Sequence, residues 1–153
     1  MSINQWNEFL SENKDRTAGI TVCLRTDEKI LIIRRSDIDE RAGQWTIPGG
    51  HIDDDDCTIE HGAVRELREE TGLVCEVCDL KYLGMPGPAK FYFLALFWEG
   101  EIDTSIPNPV TGKIEHDNYK WATIDEIKDI ANSEIPIYLL EKALDMYKNE
   151  TDT

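Results

Sequence analysis

The chain has 153 residues, the size of one ordinary domain, and 41% of them are apolar, enough for a packed core and too many for a disordered chain. Lys and Arg number 16 against 31 Asp and Glu, and the net charge of −15 argues against broad affinity for polymeric nucleic acid or anionic membrane, since both need a basic surface. An anionic substrate would need a cation between itself and this chain, and a divalent metal is the natural one. In chain order, Ile3, Trp6 and Leu10 stand at spacings of three and four and predict a short helix over residues 3–11. Residues 20–25 (ITVCLR) and 29–35 (KILIIRR), parted by Thr26-Asp27-Glu28, read as a two-stranded hairpin. A polar loop over 36–44 leads to a short strand at 45–47, stopped by Pro48-Gly49-Gly50. Residues 58–71 read as a helix that Thr58 N-caps and that Gly72 ends in the left-handed conformation. Strands are expected over 74–83 and 90–99, separated by the turn-rich Gly84-Met85-Pro86-Gly87-Pro88. A loop with two prolines (104–113) precedes a strand over 114–122, residues 123–131 and 135–148 form closing helices, and 149–153 form a frayed tail. The interspersion makes this an α/β chain, read as one domain over residues 1–153.

The longest apolar runs, such as Ile30-Leu31-Ile32-Ile33, fall far short of the roughly 20 residues that span a bilayer, and residues 1–6 lack the basic-then-apolar pattern of a signal peptide. Four cysteines without such a signal fit a reducing cytoplasm. Cys75 and Cys78 form a CxxC, but Cys23 and Cys57 are isolated, and on a strand positions 75 and 78 face opposite ways, so metal or disulfide chemistry is not expected there. The run Asp53–Asp56 does not open a calcium loop, because Thr58 and Val64 stand where Gly and Glu would be required. The strand Phe91-Tyr92-Phe93-Leu94-Ala95-Leu96-Phe97-Trp98 is read as core, with one ring a candidate to stack a nucleobase, and Trp45 is also read as core.

The informative segment is the helix over 58–71. On a wheel of about 100° per residue, Ala63, Val64 and Leu67 share the core-facing side, while Glu66, Glu69 and Glu70, at i, i+3 and i+4, share a second face that borders it. These acids should therefore be partly shielded from water. Spacing alone allows either a solvated acidic face or a cluster of hard oxygen donors suited to Mg²⁺, Mn²⁺ or Ca²⁺; like charges at i,i+4 repel, which a merely soluble helix would relieve with lysine.

The residues around the acids carry more. Arg65-Glu66-Leu67-Arg68-Glu69-Glu70-Thr71-Gly72-Leu73 is a complete REUxEExGU run (U apolar), preceded by Gly43-Gln44-Trp45-Thr46-Ile47-Pro48-Gly49-Gly50. This resembles the signature of the Nudix hydrolases, the MutT-like pyrophosphohydrolases, and the likeness runs from about Ile20 to Trp121. One departure stands out. The family pattern Gx5Ex7REUxEExGU would place its glycine at 51 and its first acid at 57, where this chain has His51 and Cys57. A one-residue insertion repairs the register: Gly50 becomes the motif glycine and Asp56 takes the acid's place, with Asp56 or Asp55 left to hold Arg65.

The resemblance implies a Nudix-type α/β/α sandwich with a mixed, partly curled central sheet. It implies a Mg²⁺-dependent hydrolase, with Mn²⁺ as a substitute, cleaving a nucleoside diphosphate linked to another group. Glu69 and Glu70 would be the main metal ligands, joined by the Gly49 carbonyl, with Glu66 a further ligand or the base. Arg65 would pair with carboxylates to fix their rotamers, and Arg68 would face solvent. Glu115 would complete the metal site or act as base, its alternative being an exposed loop acid, and His116 is a candidate substrate contact. One of Arg34, Arg35 and Arg41 is expected on the substrate phosphates, because the guanidinium fork matches phosphate oxygens; the alternative is a surface ion pair. Residues 108–113 would wall the substrate. ADP-ribose, nucleotide sugars or dinucleoside polyphosphates are favoured, a nucleoside triphosphate comes close behind, and RNA cap removal is disfavoured by the charge. A nucleotide-sensing module with little catalysis and an acidic interaction protein are the readings from other classes. Monomer and homodimer both remain open.

Overall fold

A computed structural model describes residues 17–36, 42–109, 111–130 and 135–151. The helix expected over residues 3–11 and the side chain of Arg41 lie outside them. Among the described residues, seven strands are β1 (Ala18–Cys23), β2 (Ile30–Arg35), β3 (Trp45–Thr46), β4 (Gly49–His51), β5 (Leu80–Gly87), β6 (Lys90–Ala95) and β7 (His116–Ala122). The described residues also form three α-helices, α1 (Ile59–Thr71), α2 (Ile124–Lys128) and α3 (Ile137–Thr151).

The strands form a mixed sheet in the order β4-β1-β6-β5, in which β1 and β6 run parallel, and an antiparallel sheet in the order β3-β2-β7. Alternation along β1 and β6 explains the layering. Ile20, Val22, Tyr92 and Leu94 face a core shared with Leu139, Leu140 and Ala143 of α3. Phe91 and Phe93 face the other way, against Ile59 and Ala63 of α1, and Cys23 and Ala95 pack with Leu67. The mixed sheet therefore lies between α1 and α3, the expected α/β/α arrangement. Among the described residues, no helix is long and apolar enough to cross a membrane.

The expected hairpin does not form as such. A single bridge, Leu24 with Ile30, pairs the chain just past β1 with the start of β2, and each strand then enters a different sheet. Ile30 to Ile33 are fully buried, so both faces of β2 need cover, which a two-stranded ribbon cannot give. Residues 74–79 are not strand: Val74 makes a single bridge to Glu99, and Val77–Asp79 form a 3-10 turn. Conversely, residues 84–87 are not the turn but an irregular continuation of β5, whose register shifts around Gly84. Pro86 is tolerated because β5 is an edge strand, and the chain reverses one step later, with Ala89 at φ 57°. Glu150 and its neighbours continue α3 instead of fraying, and β6 ends at Ala95, four residues early.

Where the sequence predicted caps, they form. Thr58 accepts from the His61 N–H at 3.2 Å, and Gly72, at φ 80°, donates its N–H to Arg68 O at 2.9 Å. Cys75 is buried and Cys78 exposed, and all four cysteines are free. Trp98, beyond β6, stacks on Trp121 of β7 with ring centroids 5.4 Å apart, and so links the two sheets. Its indole N–H donates to Leu24 O at 3.1 Å, and the Arg25 guanidinium lies 4.9 Å from the Trp121 ring centre. Phe97, read as core, is 64% exposed.

Candidate active site

Helix α1 sets its acids by burying the stripe beside them. Ala63 and Leu67 are fully buried, Arg68 is exposed, and Glu66, Glu69 and Glu70 are partly covered, as their place on the wheel requires. Val64 is only half-buried, at the margin of the core.

Arg65 organises this face. Its Nε donates to Asp56 Oδ1 at 3.0 Å and its Nη2 to Asp56 Oδ2 at 2.9 Å, a two-pronged contact. Nη2 also reaches the His51 carbonyl at 3.0 Å, and Nη1 reaches Glu69 Oε2 at 2.9 Å and Glu66 Oε1 at 3.2 Å. Asp56 is buried and accepts from the Asp53 N–H at 2.9 Å as well. Asp55 is exposed and spends its N–H on Asp53. Asp56 is thus the acid that meets Arg65, across the one-residue-longer loop. Burial opposes the charge on Arg65, but the Asp56 hydrogen bonds and the charges of Glu66, Asp56 and Glu69 outweigh it and hold the guanidinium firmly protonated.

Strand β4 approaches the same face. The Gly49 N–H donates to Glu70 Oε2 at 2.9 Å, and a side-chain carbon at Gly50 would come within 2.5 Å of the Glu66 carboxyl carbon. Only glycine allows β4 this close. Burial pushes Glu66 up to about 7; Arg65 pulls it back, and Glu69 and Glu115 add repulsion. Burial, then the charge of Glu66, holds Glu70 well above the usual carboxylate range, against the Gly49 hydrogen bond and Arg35.

The fourth acid arrives from the other sheet. Glu115 precedes β7, and its carbonyl accepts from the Ser36 N–H at 2.8 Å, which fixes the chain beside the end of β2. Glu70, Glu115 and His116 each present a potential donor atom within 4.8 Å of the others. Glu66, Glu69, Glu70, Glu115 and His116 line a narrow crevice that Thr104, Ile106 and Asn108 close from the loop.

An open cleft of about 390 Å³ adjoins that crevice, between the two sheets. Gly49, Gly50, Glu66, Glu70, Glu115 and His116 line it, as does Arg35. Arg34, its neighbour on β2, lies outside the lining, as strand alternation requires of one of the pair. The sequence reading did not place Lys90 at the site, and it left open which ring of residues 91–98 would reach it. Tyr92 and Lys90, two apart on β6, share the cleft face with Ile20 and Ala18 of β1. Asn108, read only as loop wall, donates from Nδ2 to Glu115 Oε1 at 2.9 Å. Nothing in the sequence tied it to Glu115.

A family model described as NUDIX domain matches residues 14–141. An RNA pyrophosphohydrolase of Bartonella tribocorum (strain CIP 105476 / IBS 506) is 30% identical over 125 residues, covering 69% of this chain and 70% of that protein. A MutT-like protein of Streptomyces ambofaciens is 44% identical over 63 residues, covering 41% of this chain and 36% of that one. Among solved structures, a C. elegans Ap4A hydrolase has a TM-score of 0.62 at 21% identity, covering 87% of this chain and 99% of that one, a likeness of fold. The chain therefore belongs to the Nudix hydrolases, the MutT-like family of enzymes that split nucleotide-linked pyrophosphates.

Proposed function

We propose that this chain, acting as a single domain, hydrolyses a diphosphate joining a nucleoside to another moiety: ADP-ribose, a nucleotide sugar or a dinucleoside polyphosphate first, a nucleoside triphosphate next. The observation that carries this reading is the convergence of Glu66, Glu69, Glu70 and Glu115 at one end of an open cleft. Arg65 and Arg35 offset part of that charge, and the raised Glu66 and Glu70 register the remainder. Hard oxygen donors in charge excess suit a divalent ion, Mg²⁺ by preference and Mn²⁺ as a substitute.

Glu69 and Glu70 would hold the ion, with the Gly49 carbonyl as a further oxygen. When bound, the ion supplies neutralisation at the phosphate oxygens and a lowered pKa for water. The remaining work belongs to the chain. Arg65 fixes Glu66 and Glu69, and the Gly49 N–H fixes Glu70. Glu66 and Glu115 are the carboxylates available to complete the site or to take the proton from water. Arg35 offers its fork to a phosphate oxygen, and His116 lies beside it for a substrate contact. Bare backbone at Gly50 keeps the cleft open next to Glu66.

The test is phosphate release with Mg²⁺ across ADP-ribose, nucleotide sugars, dinucleoside polyphosphates, FAD, NADH, triphosphates and a 5′-triphosphorylated oligoribonucleotide. Compounds whose phosphates are all internally linked are run with and without alkaline phosphatase, and those with a free triphosphate end with and without inorganic pyrophosphatase, beside Glu69→Gln. Phosphate seen only with the added coupling enzyme, and lost by orders of magnitude in the variant, is the expected result and means pyrophosphate-bond cleavage. Near-normal turnover by Glu69→Gln would sink the metal-face assignment. A best rate on the oligoribonucleotide would replace the small-molecule reading, which rests on the acidic surface.

A further inference from the structure

We propose that Asn108 is a positioning residue: its amide clamps the Glu115 carboxylate against the acid face, and so ties the loop that walls the cleft to the reacting centre. The inference rests on Glu115 taking part in the reaction, as proposed above.

The backbone at Glu115 is pinned by Ser36, whose N–H donates to Glu115 O at 2.8 Å and whose hydroxyl donates to Ile114 O at 2.7 Å. That leaves the torsions of a long, flexible side chain to be set, at a cost in rotamer entropy that some partner must offset. Asn108 is built to be that partner. Its N–H donates to Lys113 O and its carbonyl accepts from the Gly112 N–H, both at 2.8 Å, which closes a tight turn with Gly112 at φ 70°. The Thr111 N–H donates to Asn108 Oδ1 at 3.1 Å, so the amide oxygen is committed to the turn and the NH₂ is aimed the other way, at Glu115 Oε1. Asn108 lines both the acid crevice and the open cleft, so it stands where wall and centre meet.

An amide is the chemistry this position needs. A lysine would neutralise Glu115 and compete with a cation, and an aspartate would repel it. A neutral donor orients the carboxylate without changing the charge the site presents.

Asn108→Asp isolates the clamp. It keeps the volume and the acceptor for the Thr111 N–H, and it turns an oxygen towards Glu115. Expected is a fall in kcat of about 10–100-fold, with KM within about threefold of wild type and the melting temperature preserved. Asn108→Asp in a Glu115→Gln background should cost nothing beyond Glu115→Gln itself, because the new amide can donate to the new carboxylate. A second readout needs no turnover: calorimetric titration with Mn²⁺ and no substrate. Asn108→Leu should weaken binding severalfold in the wild-type background and leave it unchanged in the Glu115→Gln background. Wild-type kcat in Asn108→Asp, or losses that multiply in the double variants, would overturn the clamp. Wild-type turnover and Mn²⁺ affinity in Glu115→Gln would overturn it through its premise instead, and that result is distinguishable because it appears in the single variant.

Discussion

Arg65 shows how much one side chain can carry. It bridges four carboxylates, and its most buried partner is Asp56. Removing one member of a buried ion pair leaves the other charge exposed to the penalty of burial. Asp56→Ala is therefore expected to lower stability by about 2–4 kcal/mol in urea unfolding, whereas the exposed Asp55→Ala should stay within about 0.5 kcal/mol of wild type. A substantial loss in Asp55→Ala would mean that Arg65 is shared differently from the geometry described. Glu66 gives a second test at this scale, in metal-free protein. Burial raises it from the ordinary 4.5 to about 7, so between those values the folded chain holds a proton that the unfolded chain releases. The resulting contribution to stability is fully present below about pH 4.5 and lost as pH rises through about 7. Glu66→Gln should raise the metal-free melting temperature by a few degrees at pH 8 and little at pH 4.5, and Mg²⁺ should raise that of wild type at pH 8. A melting temperature for Glu66→Gln equal to wild type at both pH values would contradict the burial of this carboxyl.

At the level of elements, β4 and α1 approach through Gly50. Gly50→Ala is expected to displace the Glu66 carboxylate and cut kcat about 10-fold or more while the fold survives. Circular dichroism and turnover on the same sample check this, and an unchanged kcat would remove Glu66 from the reaction. Helix α1 was legible in the sequence down to its caps at Thr58 and Gly72, because a helix end is settled by hydrogen bonds within a few residues. Asp56 was legible as one of two candidates by counting register, and burial decided between Asp56 and Asp55. The partners of β1 and β2 were not legible. Two adjacent strands with a polar break signal a hairpin locally, but the choice of neighbour depends on which faces must be covered by residues distant in the chain, such as Leu67 of α1 and Leu139 of α3. Residues 84–87 misled for a related reason: Gly and Pro mark turns, yet on an edge strand they also make bulges. Asn108 was hidden because its bond to Glu115 depends on how a turn sits in space, which no short-range pattern encodes.

At the scale of the whole molecule, a net charge of −15 surrounds a cleft proposed to take an anion. Long-range repulsion should slow encounter, and salt should screen it over a Debye length of about 10 Å at 0.1 M. With Mg²⁺ saturating, kcat/KM is expected to rise a few-fold as KCl goes from about 10 to 150 mM, the reverse of a basic nucleotide-binding protein. A steady fall across that range would mean that local cations such as Arg35 and Lys90, and not the overall charge, govern approach. The stacked pair Trp98–Trp121 has an optical consequence. Trp121 stands on β7 and Trp98 just past the end of β6, and the cleft opens between the sheets those strands belong to. Coupled indole transitions are expected to give a couplet in circular dichroism whose amplitude is set by the distance and angle between the two rings. A change in that couplet on adding substrate would show the two rings shifting, without a label.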